Sequence, residues 1–445
     1  MRFSLLLNAI AVFISFSVKT AAQQKTDNQI LFSNVRVFDG SSGQLSEPVN
    51  VLIRGNKIQE INSKNISVSG NAVRVDGKGR TLMPGLIDVH VHLTFGALSK
   101  EEMMSPDFNM NTAMQKVSQS AEATLMRGFT SVRDAGGPIF PLKTAIDRQQ
   151  IKGPRIWPSG ATISQTAGHG DFRTPDERSR RFFGKPSKAE EFGATFIADG
   201  RDEVLTATRE NLRFGASQIK VMAGGGTSTA YDPVDVTQYT FDEIKAAVDA
   251  AEDWGTYVMV HAYTPRAVRR AVDAGVKCIE HGQLLDEETL QLMADKGIWL
   301  STQNLIESSP GMDEMRMEKR KPVIEGQKKV WPMAKRLNVK LAWGTDFLFE
   351  PELNKEQNSY ILKLQPWFTN AEILKMVTHD NAQLLQLSGL RSPYPGELGV
   401  IKEGALADVL LVDGDPIKDL SLIANPDKNF LVIVKDGVIY KNLTK

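Results

Sequence analysis

Cysteine is nearly absent: Cys278 stands alone in 445 residues. A single cysteine excludes an intrachain disulfide framework and any cysteine-rich zinc or iron–sulfur site, so a bound metal would rest on histidine, carboxylate or something less usual. Net charge is absent as well, with 53 Lys and Arg against 53 Asp and Glu. The basic residues are dispersed, which removes the electrostatic footprint of a nucleic-acid partner. Histidine is scarce, six in all, so the positions of the six carry weight. Long apolar runs are missing except at the start, where Ser4–Val18 supplies about 15 residues, short of the ~20 that span a bilayer. What is present, 41% apolar residues, suffices to bury one large core with a small companion domain.

The opening run reads as an export signal. Arg2 gives a positive start, the apolar stretch follows, and Thr20-Ala21-Ala22 offers small residues for cleavage. Residues 1–22 are expected to be a signal peptide removed near Ala22, releasing a secreted protein of the bacterial periplasm with no stable membrane insertion. An uncleaved anchor is the alternative. No cysteine follows the run, so no lipid anchor is expected.

Short alternating strands mark both ends of the chain. Ile30-Leu31-Phe32, Val35–Phe38 and Val51–Arg54 lie at one end, and Ala407–Val412 and Leu431–Val434 at the other. Neither piece is large enough to stand alone, so residues 23–83 and 388–445 are expected to share one small β-sandwich. Between them, residues 84–387 repeat strand and helix. Candidate strands are 85–93, 130–134, 155–159, 218–223, 257–262, 278–281, 298–302 and 341–345. Helix-like segments such as 113–127, 201–214, 241–254, 265–274 and 286–294 separate them. Thr240 ahead of Asp242-Glu243 and Thr264 ahead of Pro265 read as helix starts. Eight strands with intervening helices indicate an α/β fold, a (β/α)8 TIM barrel. An open doubly wound sheet would want G-x-G-x-x-G after an early strand, and none is there. Gly224-Gly225-Gly226 lacks the Lys-Ser/Thr ending of a phosphate loop and fits a flexible active-site loop instead. Residues 164–200 form a long insertion after the third strand, of the kind that overhangs a cleft.

His90 and His92 lie two apart at the end of the first barrel strand, and a period of two puts both imidazoles on one face. In a barrel, the inward face at the carboxyl end is the floor of the active site. His261 and His281 end the fifth and sixth strands, and Asp346 follows the eighth, where a carboxylate can ligate a metal such as zinc and exchange a proton with its water. Lys220 interrupts the apolar run Ile219-Lys220-Val221-Met222, where a bare ammonium is costly to bury. It is either half of an ordinary buried Lys–carboxylate pair or, after reaction of its amine with carbon dioxide, an anionic carbamate bridging two metals. His169, between two glycines of the 164–200 insertion, is a candidate donor to a substrate carbonyl or carboxylate, or else a surface-loop histidine. Tyr263 follows His261 by two and should share its inward face. Arg133 and Asp134 read as a structural pair, His379 as structural, and Cys278 as inert core.

Taken together, the chain resembles the metal-dependent amidohydrolase superfamily. The motifs are Met83–His92, Val132-Arg133-Asp134-Ala135-Gly136-Gly137, His261-Ala262-Tyr263, Ile279-Glu280-His281-Gly282 and Gly344-Thr345-Asp346. They look like the branch of imidazolonepropionase-related proteins, Xaa-Pro and Xaa-Arg/Lys dipeptidases and ochratoxin-hydrolysing amidases. The resemblance implies two divalent metals, most simply zinc. His90, His92 and Asp346 would hold the more buried ion, His261 and His281 the more exposed one, and Lys220, as N6-carboxylysine, would bridge both. It implies that a hydroxide bridging the ions attacks the amide, that Asp346 carries the proton to the leaving nitrogen, and that Tyr263 and His169 hold the substrate. The expected reaction is cleavage of dipeptides or N-acyl amino acids with a free carboxylate. The alternative is opening of a cyclic amide or lactone on the same site. A non-catalytic scaffold would lack ligands, and all six are present. Side-chain preference would be set within residues 164–200, 224–239 and 304–330. A homo-oligomer is compatible with the family, but no interface is legible.

Overall fold

The strand signals at the two chain ends resolve into one sheet. The computed structural model describes residues 28–105, 107–229, 231–304 and 312–444, so the expected signal peptide at 1–22 lies outside the described residues. The N-terminal segment supplies β1 (Gln29–Val37), β2 (Val49–Arg54), β3 (Lys57–Asn62), β4 (Val73–Asp76) and β5 (Thr81–Pro84). The middle supplies β6 (Leu86–Val91), β7 (Phe129–Asp134), β8 (Arg155–Pro158), β9 (Thr162–Ser164), β10 (Thr195–Ile197), β11 (Ile219–Met222), β12 (Val258–Ala262), β13 (Cys278–His281), β14 (Trp299–Gln303) and β15 (Lys340–Gly344). The C-terminal segment supplies β16 (Val409–Val412), β17 (Phe430–Lys435) and β18 (Val438–Asn442).

The terminal strands run in the order β18-β17-β16-β5-β1-β2-β3, with β4 paired to β1. The two chain ends meet where β5 pairs antiparallel with β16, Leu82 opposite Leu411. A register shift between Phe32 and Val35 breaks β1 into two halves. Ile30, Phe32, Val51, Leu82, Val409 and Val432 form the shared core.

The remaining strands form eight parallel staves. The third is interrupted at Ser159-Gly160-Ala161: β8 pairs with β7, β9 pairs with β11, and Ser217 N–H donates to the Pro158 carbonyl (2.7 Å) between them. β9 and β10 pair with each other beside the 164–200 insertion, which therefore carries a strand of its own. Between the first and eighth staves, side chains close the ring. The Asn381 amide donates to the carbonyls of Ile87 (2.7 Å) and Trp343 (2.8 Å) and accepts from Trp343 N–H (3.0 Å). Nearer the mouth, the buried Asp88 carboxylate accepts from His90 N–H, Thr345 N–H and Oγ1, and Gln357 Nε2. The helix starts at Thr240 and Thr264 form as expected, the first with a reciprocal Thr240–Glu243 capping box and the second with Pro265 in the first turn. Among the described residues no helix is long and apolar enough to cross a membrane.

Candidate metal centre

Hydrogen bonds behind the first stave decide how its two histidines point. His90 Nδ1 donates to Glu280 Oε2 (2.7 Å), and His92 Nδ1 donates to the Gly136 carbonyl (3.0 Å). With the proton held on Nδ1, each Nε2 keeps its lone pair, and both face Asp346 Oδ1, at 3.3 Å and 3.2 Å. One donor atom from each of the three residues falls within 4.8 Å of the others. Adjacent corners of a tetrahedron with zinc-like bonds of about 2.0–2.1 Å are roughly 3.3 Å apart, so the donor set fits a borderline divalent ion. Asp346 reaches this place in a left-handed backbone conformation, φ +56°, with its N–H donating to the His90 carbonyl (2.8 Å). His281 is left-handed too, at φ +79°. Non-glycine residues held there cost about 1–3 kcal/mol each, and such strain concentrates at functional sites.

Around this triad lie the other predicted residues. Lys220 is fully buried on β11 with Nζ 3.3 Å from His90 Nε2. No described carboxylate forms an ion pair with it, and burial holds its amine below the ordinary lysine value. His281 Nε2 is 3.8 Å from Asp346 Oδ2, while its Nδ1 is buried without a partner. The His261 ring lies 4.3 Å from that of His281, and its Nε2 donates to the Gly225 carbonyl (3.0 Å), leaving Nδ1 free as a donor atom. Burial, then neighbouring charge, holds His261 well below the usual imidazole range. Burial does the same to His281 and, less strongly, to His92. These rings are therefore neutral, the form that ligates metal.

His169 is buried rather than on the surface, and its ring stacks on His261 at 4.0 Å. Its Nδ1 donates to Asp232 Oδ2 (2.7 Å), and Nε2 is 3.3 Å from Ser228 Oγ. Tyr263 is also buried, its ring 5.1 Å from both His261 and His281. Gly224-Gly225-Gly226 folds back against the site, and Gly226 N–H donates to Asp232 Oδ2 (2.7 Å). A methyl group on Gly226 would sit 2.0 Å from the His169 ring, which is why a side chain is missing there. His92, Asp346, Lys220, His261, His281, His169 and Tyr263 border a cavity of about 900 Å³, part of it open to solvent.

The family model that matches this chain, the amidohydrolase family, covers residues 81–440. The chain belongs to the amidohydrolase family. This amidohydrolase is 31% identical to the ochratoxinase of Aspergillus niger over 381 residues, 81% of this chain and 75% of that protein. A crystal structure of another amidohydrolase matches with a TM-score of 0.85 at 36% identity, covering 93% of this chain and 99% of that one. A prolidase solved with N-methylphosphonate-L-proline also gives 0.85, at 33% identity and covering 93% and 100%. These likenesses, with an Xaa-Pro dipeptidase and an imidazolonepropionase among the relatives, place the amidohydrolase on the branch that its motifs resemble.

One residue that organises the amidohydrolase site, Glu280, stands in the motif Ile279-Glu280-His281-Gly282 without a role legible in the sequence. Glu280 is fully buried between Arg133 Nη2 (2.6 Å) and His90 Nδ1, so a guanidinium–carboxylate–imidazole chain runs beneath the metal ligands. The expected Arg133–Asp134 pair does not form. Neighbours on a strand point to opposite faces, and the Asp134 carboxylate instead accepts from the N–H groups of Leu93 and Gly136. Cys278 is buried with its thiol donating to Glu280 Oε1 (3.0 Å), and burial together with that carboxylate keeps it protonated. His379 donates to Asp380 within the helical segment Met376–Asp380, apart from the cavity.

Proposed function

We propose that this amidohydrolase cleaves the amide bond of dipeptides or N-acyl amino acids carrying a free carboxylate. The reading rests on one observation: three oriented metal donors, two further imidazoles and a buried lysine without an ion pair among the described residues gather at the floor of a single cavity in a chain of this family. His90, His92 and Asp346 would hold one divalent ion, most simply zinc, and His261 and His281 a second. Lys220 supports the bridging role because burial disfavours its ammonium form, and the free amine is nucleophilic. Addition of its nitrogen to carbon dioxide, with loss of one proton, gives a carbamate whose oxygens suit hard or borderline cations. When bound, such a pair of ions supplies Lewis acidity and an acidified water. Asp346 Oδ2 accepts a proton and returns it to the leaving nitrogen. His169, backed by Asp232, and Tyr263 hold the substrate across the mouth. The residues outside the described segment, at 1–22, fit export and cleavage near Ala22.

The test is a screen of N-acyl amino acids and dipeptides varied at the C-terminal residue, with metal content measured beside each rate. Release of a free amino acid, abolished by chelation and restored by zinc with bicarbonate, is expected. Ring opening of lactams or lactones without such release would overturn the proposal.

A further inference from the structure

One guanidinium in the cavity wall has no ion-pair partner among the described residues. The helix Glu314–Arg336 presents Arg316 and Arg320, one turn apart, to the cavity. Arg316 is answered by Glu350, Nη2 to Oε1 at 3.5 Å. Arg320 forms no ion pair with any described residue, and its Nε is buried without a hydrogen-bond partner. Burial, then repulsion from Arg316, acts against its charge. Arg320 is half-buried, and a guanidinium partly withdrawn from water without a counter-charge is costly, while its planar fork of donors matches a carboxylate. The helix itself is held in place, since Lys319 Nζ donates to the carbonyls of Thr229 (2.6 Å) and Asp232 (2.7 Å) across the mouth. Arg320 lies within electrostatic reach of Glu350, which Arg316 already engages, and of Tyr263 and Asp346.

We propose that Arg320 is the specificity residue that receives a carboxylate of the substrate, completing its charge only when the substrate is bound. The substrate's identity as an N-acyl amino acid rests on the function proposed above. The carboxylate is either the α-carboxylate or that of an acidic side chain, and binding separates the two. Metal-loaded wild type, Arg320→Gln and Arg320→Lys are titrated calorimetrically with N-methylphosphonyl-L-alanine, its carboxamide, and N-methylphosphonyl-L-isoglutamine. Wild type is expected to favour a carboxylate probe over the carboxamide by tenfold or more. In Arg320→Gln the preference should fall below threefold with carboxamide binding unchanged, and Arg320→Lys should keep an intermediate preference. Preference for the alanine probe assigns the α-carboxylate; preference confined to the isoglutamine probe assigns the side chain. A preference that survives in both variants, or no preference in wild type, overturns the proposal. If an Arg320-dependent preference is found while no amide is hydrolysed, the hydrolase reading fails and the carboxylate site stands.

Discussion

A methyl group at position 344 would stand 2.5 Å from both Cβ and N of His90 and 2.9 Å from Asp88 Oδ1. Backbone and a bolted carboxylate cannot give way cheaply, so Gly344→Ala should push His90 off its line to Asp346. We expect at least a tenfold loss of metal affinity in a competition titration, with the far-ultraviolet circular dichroism unchanged; unaltered affinity would show that His90 does not depend on this close approach. Glu280→Gln tests the layer below. It leaves the Arg133 guanidinium buried without its counter-charge, a change that costs about 3–5 kcal/mol, and weakens the acceptor that fixes the His90 proton, worth about 10- to 100-fold in metal affinity. Urea unfolding and metal titration read the two effects separately. The donor triad of His90, His92 and Asp346 could be read from spacing because each falls at or just beyond the carboxyl end of a strand. Glu280 could not, since a carboxylate one position before His281 looks like any other until the fold brings Arg133 from β7 and His90 from β6 against it.

Among the elements, the seam between the first and eighth staves rests on Asn381. Asn381→Ala would strand two carbonyls and one N–H in the interior, each costing about 1–3 kcal/mol. The expected result is a fall in urea midpoint together with weakened metal binding, because β6 and β15 carry or lead into His90, His92 and Asp346. Behind the barrel, Lys435 is buried with Nζ donating to the Gly153 carbonyl (2.6 Å), and burial pulls it from the ordinary 10.5 to about 8 despite Asp408 and Asp436 nearby. Below pH 8 both folded and unfolded chains hold this proton and the penalty of burying the charge is complete. Between about 8 and 10.5 the unfolded chain holds more protons, so this residue's contribution to stability improves as pH rises. The stability difference between Lys435→Met and wild type should therefore shift in favour of wild type between pH 8 and 10; a difference constant across that range would refute the depressed value. All eight barrel strands were legible because buried parallel strands read as apolar runs between helices. The short β9, which completes the third stave, and β10 were not, because three residues each give no periodicity to read.

For the molecule as a whole, the pairing of the two chain ends was legible from the insufficiency of each piece, whereas their junction at β5 and β16 was not, since no local pattern names a partner so far away. That junction has a consequence during synthesis. At roughly 5–20 residues per second, a ribosome finishes β16 some 15 to 65 s after β5. Throughout that interval the hydrophobic edge of β5 has no neighbour on one side, an invitation to stick to other nascent chains. A polypeptide halted after Ala407 should sediment where the complete one stays in the supernatant, and adding residues 408–445 as a separate peptide during translation should rescue part of it.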